Sequence, residues 1–377
     1  MCSSRSSTAP YLRLSTTHLA CLSAPLSPTP RRRWPRILAA VLLPLLVLGG
    51  IGLYGAWRVL WRPNVAESAE GPAYLFIRTG DTYQNVLLTL QKFELLREPA
   101  TFDWLARRRG YPQRLRPGRY RLDFDLGNEA LLGRLMRGEQ DTVDFALDAF
   151  KYKPQLARQL QRQLEADSTS LRVLLNRPEW LQQRYGVDTT AVLTLFIPGH
   201  YRLLWNTSAQ GFIDSMAAQH RRFWTEVRRK RADSLQLTPT EVHVLASIVQ
   251  RETAKKEDKP LIAGVYLNRL RRGMKLQADP TLLWAIGNFG VRRVLNKDKL
   301  VDSPYNTYKH KGLPPGPITS ANRQSLDAVL KPAAHDYLFF CAQAGGSGYS
   351  DFAATFAEHK QNARRYQRWL DSLNIKR

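Results

Sequence analysis

TPTEVHVLASIVQRETAKKED, residues 238–258, holds a helix start, an apolar stripe and one carboxylate on that stripe. Thr238 can cap the helix, Pro239 suits its first position, and Glu241 completes a capping box. At about 100° per residue, Leu245, Ile248 and Val249 share a face with Glu252. Gln250 points to another face. Burial on such a stripe penalises the charged carboxylate and raises its pKa. In a cleft this gives a proton-bearing acid near neutral pH, suited to general acid catalysis. The competing reading is structural: a glutamate at the stripe's edge, paired with a nearby arginine such as Arg269.

PLIAGVYLNRLRRG (260–273) reads as a second helix, with Pro260 in its first turn and Gly273 as its C-terminal cap. The two helices form an αα-hairpin across a short polar link. LQADPTLLWAIG (276–287), SPYNTYKHKGLPPGPI (303–318) and SANRQSLDAVLKP (320–332) follow. Their Pro/Gly-fixed loops carry amides and phenols, which suit sugar recognition. Tyr337–Ala342, a GGSG turn and YSDF predict a β-hairpin. Phe352, Phe356, His359, Ala363, Tyr366 and Trp369 line one side of the terminal segment and read as core.

The N-terminal side is organised differently. Residues 1–36 carry six arginines and no acid, and read as a disordered basic tail on the cytoplasmic side. Ile37 to Trp57 is an uncharged 21-residue run, enough to span a bilayer core of roughly 30 Å. A cleaved signal peptide would have a shorter apolar core and a small-residue cleavage site. The arginines before the run predict a single-pass plasma-membrane (inner-membrane) anchor with its N-terminus inside. Residues beyond it are then extracytoplasmic. Residues 63–72 read as a linker. AYLFIRTGDTYQNVLLTL (73–90) reads as strand, turn and helix, with Leu75 and Ile77 on one strand face. This pattern resembles the opening of a LysM-like glycan-binding module, expected over 73–125. Residues 126–236 read as a connecting, mostly helical region, with FIPGHYRLLWNTS (196–208) as a Pro/Gly loop feeding an aromatic stretch and His220–Leu235 as a basic helix.

The chain of 377 residues has a formal charge of +24. An extracytoplasmic address makes nucleic acid an unsuitable partner. Peptide stems and anionic lipid headgroups are the acidic surfaces available there. Three cysteines exclude a disulfide scaffold, and with no HExxH, paired-Cys or phosphate-loop spacing no metal or other cofactor is expected.

ASIVQRET, VYLNRL, LQADPT, SPYNTY, GLPPGPI, SLDAVLKPAAHDYLFF and GGSGYSDFAATFAEHKQNARRY occur in the order seen in YceG-like, membrane-anchored endolytic murein transglycosylases, which the chain resembles over roughly residues 70–370. The resemblance implies cleavage of peptidoglycan glycan strands with formation of a 1,6-anhydro end, limiting strand length. It maps the catalytic glutamate onto Glu252, followed by Thr253. Gln250 departs from the glutamate often found there, and FIPGHY departs from the family's usual P-D/N-T-Y. Gln277, Tyr305, Asn306 and Tyr308 become candidates to hold the sugar. Their alternative role is to lock loops through backbone hydrogen bonds. The fold expected is α+β: a transmembrane helix, a small LysM-like subdomain, and a mostly helical, lysozyme-like catalytic domain over 237–377 with a β-hairpin. Membrane lipid and cell-wall synthesis proteins are further candidate partners. Two other functions fit the same residues: a non-catalytic, membrane-tethered glycan-binding scaffold, and a muramidase-type hydrolase using Asp279 or Glu257 as second carboxylate.

Overall fold

The computed structural model describes residues 34–67, 71–287 and 296–373. The tail expected over 1–36 lies outside the described residues as far as position 33. Helix α1 (Trp34–Leu60) overruns the expected span at both ends and contains Pro44. Its stretch Leu38–Leu60 is long and apolar enough to cross a membrane, with mean hydropathy 2.1.

From Val59 onward the chain forms a second unit containing three apolar cores. The first is built by β1 (Ala73–Ile77), α2 (Tyr83–Lys92), α3 (Pro99–Arg108), β2 (Gly118–Leu122) and α4 (Asn128–Arg137). Strands β1 and β2 pair antiparallel, Leu75 opposite Tyr120. Leu75 and Ile77 are buried and Phe76 is exposed, the alternation the strand period requires. Thr82 caps α2 by accepting from the Asn85 amide. Leu131, Leu132 and Leu135 of α4 join this core, which therefore runs beyond residue 125. The expected linker over 63–72 is not free along its length. Pro63 bridges Gly127, Val65 bridges Leu96, and the Asn64 amide donates to Asn128 Oδ1 at 2.7 Å. Residues 68–70 lie outside the described residues.

The second core comprises β3 (Thr142–Leu147), α5 (Lys153–Gln163), α6 (Ser168–Leu174), α7 (Pro178–Tyr185), β4 (Gly199–Leu204) and α8 (Ala209–Phe223). The aromatic stretch that follows the Pro/Gly loop forms strand β4. GHYRLL alternates buried Tyr201 and Leu203 with exposed residues and pairs antiparallel with β3. The expected basic helix 220–235 is broken at Trp224. Thr225 adopts an extended conformation and caps α9 (Glu226–Ser234). Arg228 in that helix is used internally, 3.1 Å from Asp327 and over the Phe223 ring.

The third core packs α9, α10 (Pro239–Glu252), α11 (Asp258–Arg271), α12 (Asp279–Ile286), α13 (Arg323–Leu330), the hairpin β5 (Phe339–Ala342)–β6 (Ser350–Ala353), and α14 (Phe356–Ser372). Helix α10 begins with the expected capping box of Thr238 and Glu241. Buried Ser247 on α10 accepts from the Ile318 amide at 3.0 Å, tying the GLPPGPI segment to this helix. Within α14 the stripe expected as core is half-covered at His359, Ala363, Tyr366 and Trp369 and exposed at Phe356; Leu370, outside that stripe, is the buried residue of the helix.

Gly264 on α11 lets the following segment come close. A Cβ there would meet His335 Nε2 at 2.5 Å and the Ala333 carbonyl at 2.9 Å. Asn268, one turn on, donates to the His335 and Tyr337 carbonyls at 2.8 and 3.1 Å. Together they hold the chain that enters β5. Gly264→Ala is therefore expected to destabilise the fold by about 1–3 kcal/mol. Urea unfolding of the variant checks this; an unchanged midpoint would contradict it.

Candidate active site

Glu252 occupies the last helical position of α10, because Thr253 turns extended and ends the helix. Its carboxyl enters a groove of about 320 Å³. Helix α11 supplies Tyr266 and Arg269, the segment leading into α12 supplies Gln277 and Asp279, and Tyr308 comes from the following loop. Phe339 and Phe340 of β5 and Phe356 and His359 of α14 complete the walls. The site is thus assembled from the αα-hairpin, one loop and the terminal β–β–α segment.

Tyr266 is buried and donates its hydroxyl to Glu252 Oε1 at 2.5 Å. Phe340 packs edge-on against the Tyr266 ring, with centroids 5.9 Å apart. Burial pushes the Glu252 pKa up to about 7, against the lowering effect of the Tyr266 hydrogen bond. The Asp279 carboxylate adds to the rise, and Arg251 and Arg269 oppose it. The negative end of the α10 dipole also disfavours a carboxylate there. Burial and the neighbouring glutamate drive Tyr266 well above its ordinary range, so the phenol keeps its proton.

The structural alternative for Glu252 is not what forms. Arg269 is buried and spends its guanidinium on the carbonyls of Leu338 (2.6 Å), Leu276 (2.8 Å) and Lys275 (3.2 Å), and on Gln277 Oε1 (3.3 Å). It buttresses the groove instead of pairing with the acid. Gln250 faces away, as its helical position requires, and accepts from Ser325 Oγ at 2.5 Å.

The four candidate sugar-holding residues separate into two groups. Gln277 and Tyr308 line the groove. Gln277 does so from a left-handed backbone, φ 53°, its amide donating to the Thr307 carbonyl. Tyr308 donates to the Asp279 carboxylate. Asn306 is fully buried, and its side-chain amide donates to the Lys299 and Val301 carbonyls at 3.0 and 2.8 Å. It locks the loop. Tyr305 lines a different cavity. Asp279 stands in the groove, whereas Glu257 is not among its lining residues.

Sequence reasoning missed Tyr266, Phe339, Phe340, Phe356 and His359 as groove residues. The signal for Tyr266 was a phenol on an otherwise apolar helix stripe. For His359 it was a polar ring in a stripe read as core. His359 stacks on Phe339 with centroids 5.3 Å apart, and its Nδ1 has no hydrogen-bond partner among the described residues.

Residues 75–365 match the model of the YceG-like family. The chain belongs to the YceG-like family. An endolytic murein transglycosylase of Bacillus subtilis (strain 168) is 27% identical over 336 residues, covering 85% of this chain and 91% of that protein. An endolytic murein transglycosylase of Streptococcus pneumoniae (strain D39 / NCTC 7466) is 28% identical over 357 residues, covering 85% of this chain and 63% of that one. A crystal structure of a YceG-like protein from Listeria monocytogenes matches with a TM-score of 0.51 at 25% identity, over 77% of this chain and 99% of that one.

The raised pKa has a stability consequence. Between the ordinary 4.5 and about 7 the native state holds a proton that the unfolded state has lost. Stability therefore falls as pH rises through that window and levels off above it. Glu252→Gln removes the titrating group. It is expected to be more stable than the parent at pH 8 by on the order of 3 kcal/mol, with the difference vanishing near pH 4. Urea unfolding at both pH values checks this; a pH-independent difference would contradict it.

Proposed function

We propose that this family member is a membrane-anchored lytic transglycosylase cutting within peptidoglycan glycan strands. The observation that carries the reading is a half-buried glutamate with its pKa near 7, held by a phenol in an aromatic-walled groove. The names of the Bacillus and Streptococcus relatives support it.

Glu252, protonated, donates to the glycosidic oxygen between N-acetylmuramic acid and N-acetylglucosamine. As the C–O bond breaks, positive charge develops at the muramic acid C1. The resulting carboxylate then accepts the proton of the sugar's own C6 hydroxyl, whose oxygen attacks C1. The bond formed is the 1,6-anhydro bridge, and Glu252 ends the cycle protonated, as it began. An internal nucleophile removes the need for a second carboxylate to activate water. In this reading Tyr266 steadies the carboxylate state, and Gln277 and Tyr308, which line the groove, hold the sugar.

The βααβ unit of the first core is read as a LysM-like glycan binder. Helix α1 is read as a single-pass anchor of the plasma (inner) membrane with the N-terminus in the cytoplasm and the groove outside. A cell-wall synthesis partner would meet the same extracytoplasmic surface. Asp279 in the groove favours a muramidase as the second reading, since it could serve as a hydrolase's second carboxylate.

Digestion of purified glycan strands followed by mass spectrometry tests both. Anhydro-muramic ends are expected; reducing ends would establish the hydrolase, and no cleavage would establish a binding scaffold. Glu252→Gln should lower turnover by at least about 10³-fold with the fold intact. Because the acid must enter protonated, kcat/KM should fall as pH rises past about 7. Tyr266→Phe removes a hydrogen bond that lowers this pKa, so the descending limb should move to higher pH. A limb that stays in place would contradict the role given to Tyr266.

A further inference from the structure

A second cavity of about 420 Å³ lies where the second and third cores meet. Lys153, Arg172, Asn176 and Thr190 line it from one side, and Trp284 and Tyr305 from the other. The Trp284 and Tyr305 rings are tilted at 47° with centroids 6.0 Å apart, a broad aromatic face. Lys153 Nζ is held by the Leu175 carbonyl and Asn176 Oδ1, each at 2.8 Å. Arg172 is exposed on α6.

Two elements connect this cavity to the Glu252 groove. Helix α12 places Asp279 in the groove and Trp284, five residues on, in the cavity. The axial step is about 7.5 Å. The loop after residue 303 places Tyr308 in the groove and Tyr305 in the cavity. The GLPPGPI segment closes the wall. A Cβ on Gly316 would meet the Thr190 carbonyl at 2.5 Å and the Tyr305 hydroxyl at 2.9 Å, so only glycine permits that approach.

We infer that this cavity is a distal subsite for the same glycan strand, reading a stem-bearing saccharide one short step along from the bond that is cut. The inference rests on the transglycosylase reading and deepens it. An aromatic face suits the apolar side of a pyranose ring, and two cations suit the carboxylates of a peptide stem. A strand long enough to fill both places binds more tightly than a fragment filling the groove alone, which selects internal bonds over ends.

The test uses the full chain carrying Glu252→Gln, so that strands bind without being cut, with calorimetry on stem-bearing strands of defined length. Adding Trp284→Ala or Arg172→Glu is expected to weaken binding of long strands about tenfold each, the scale of one lost stacking or charged contact. Affinity for a single disaccharide, too short to reach the cavity, should change less than about twofold. Arg172 is exposed, so its variant guards against a folding failure in the tryptophan variant; circular dichroism monitors both. Long-strand affinity unchanged in the folded Arg172→Glu protein would overturn the subsite. Failure of the Glu252→Gln parent to bind any strand would instead overturn the transglycosylase reading, and the subsite with it.

Discussion

Desolvation of one carboxyl at the end of α10 is the constraint around which the third core is arranged. A carboxylate there would lose water without gaining an ion pair, since Arg269 is committed to backbone carbonyls. The group therefore keeps its proton to about pH 7, with burial as the first cause. Tyr266 limits the effect. Without its hydroxyl the acid would hold its proton more strongly still, and would be a poorer proton donor. The phenol and the aromatic walls thus set opposing pulls on one proton.

That balance matters to the proposed mechanism, in which one group acts twice. A pKa near the working pH makes both the protonated and ionised forms accessible, which a donor that becomes an acceptor within one turnover requires. The supporting structure serves this end. Gly264 and Asn268 bring the chain into β5, β5 brings Phe339 and Phe340 to the groove, and Ser247 ties the proline-rich segment to the acid-bearing helix. The same segment walls the second cavity, so the two sites share one framework.

Local signals made much of this legible in the sequence. The capping box of Thr238 and Glu241, the stripe through Leu245 and Val249, and the opposite placement of Gln250 all follow from helical period and capping chemistry. The β5–β6 hairpin and the βααβ start were marked by alternation and glycine turns. What was hidden depends on contacts between distant segments. Strand β4 exists because β3, more than fifty residues earlier, offers it an edge. Asn306 and Tyr305 are adjacent to Tyr308 in sequence, yet loop geometry sends one into the interior and the other to a different cavity. The break at Trp224–Thr225 was legible in principle, since threonine is a good cap, but the charge run masked it.

The central claim is a statement about one proton, and it can be observed directly. Carbon-13 NMR of the protein labelled at glutamate side chains, with Glu252→Gln used to assign the resonance, follows that carboxyl across pH. The account predicts a transition near pH 7. A transition in the ordinary carboxylate range near 4.5 would show a solvated acid and contradict it.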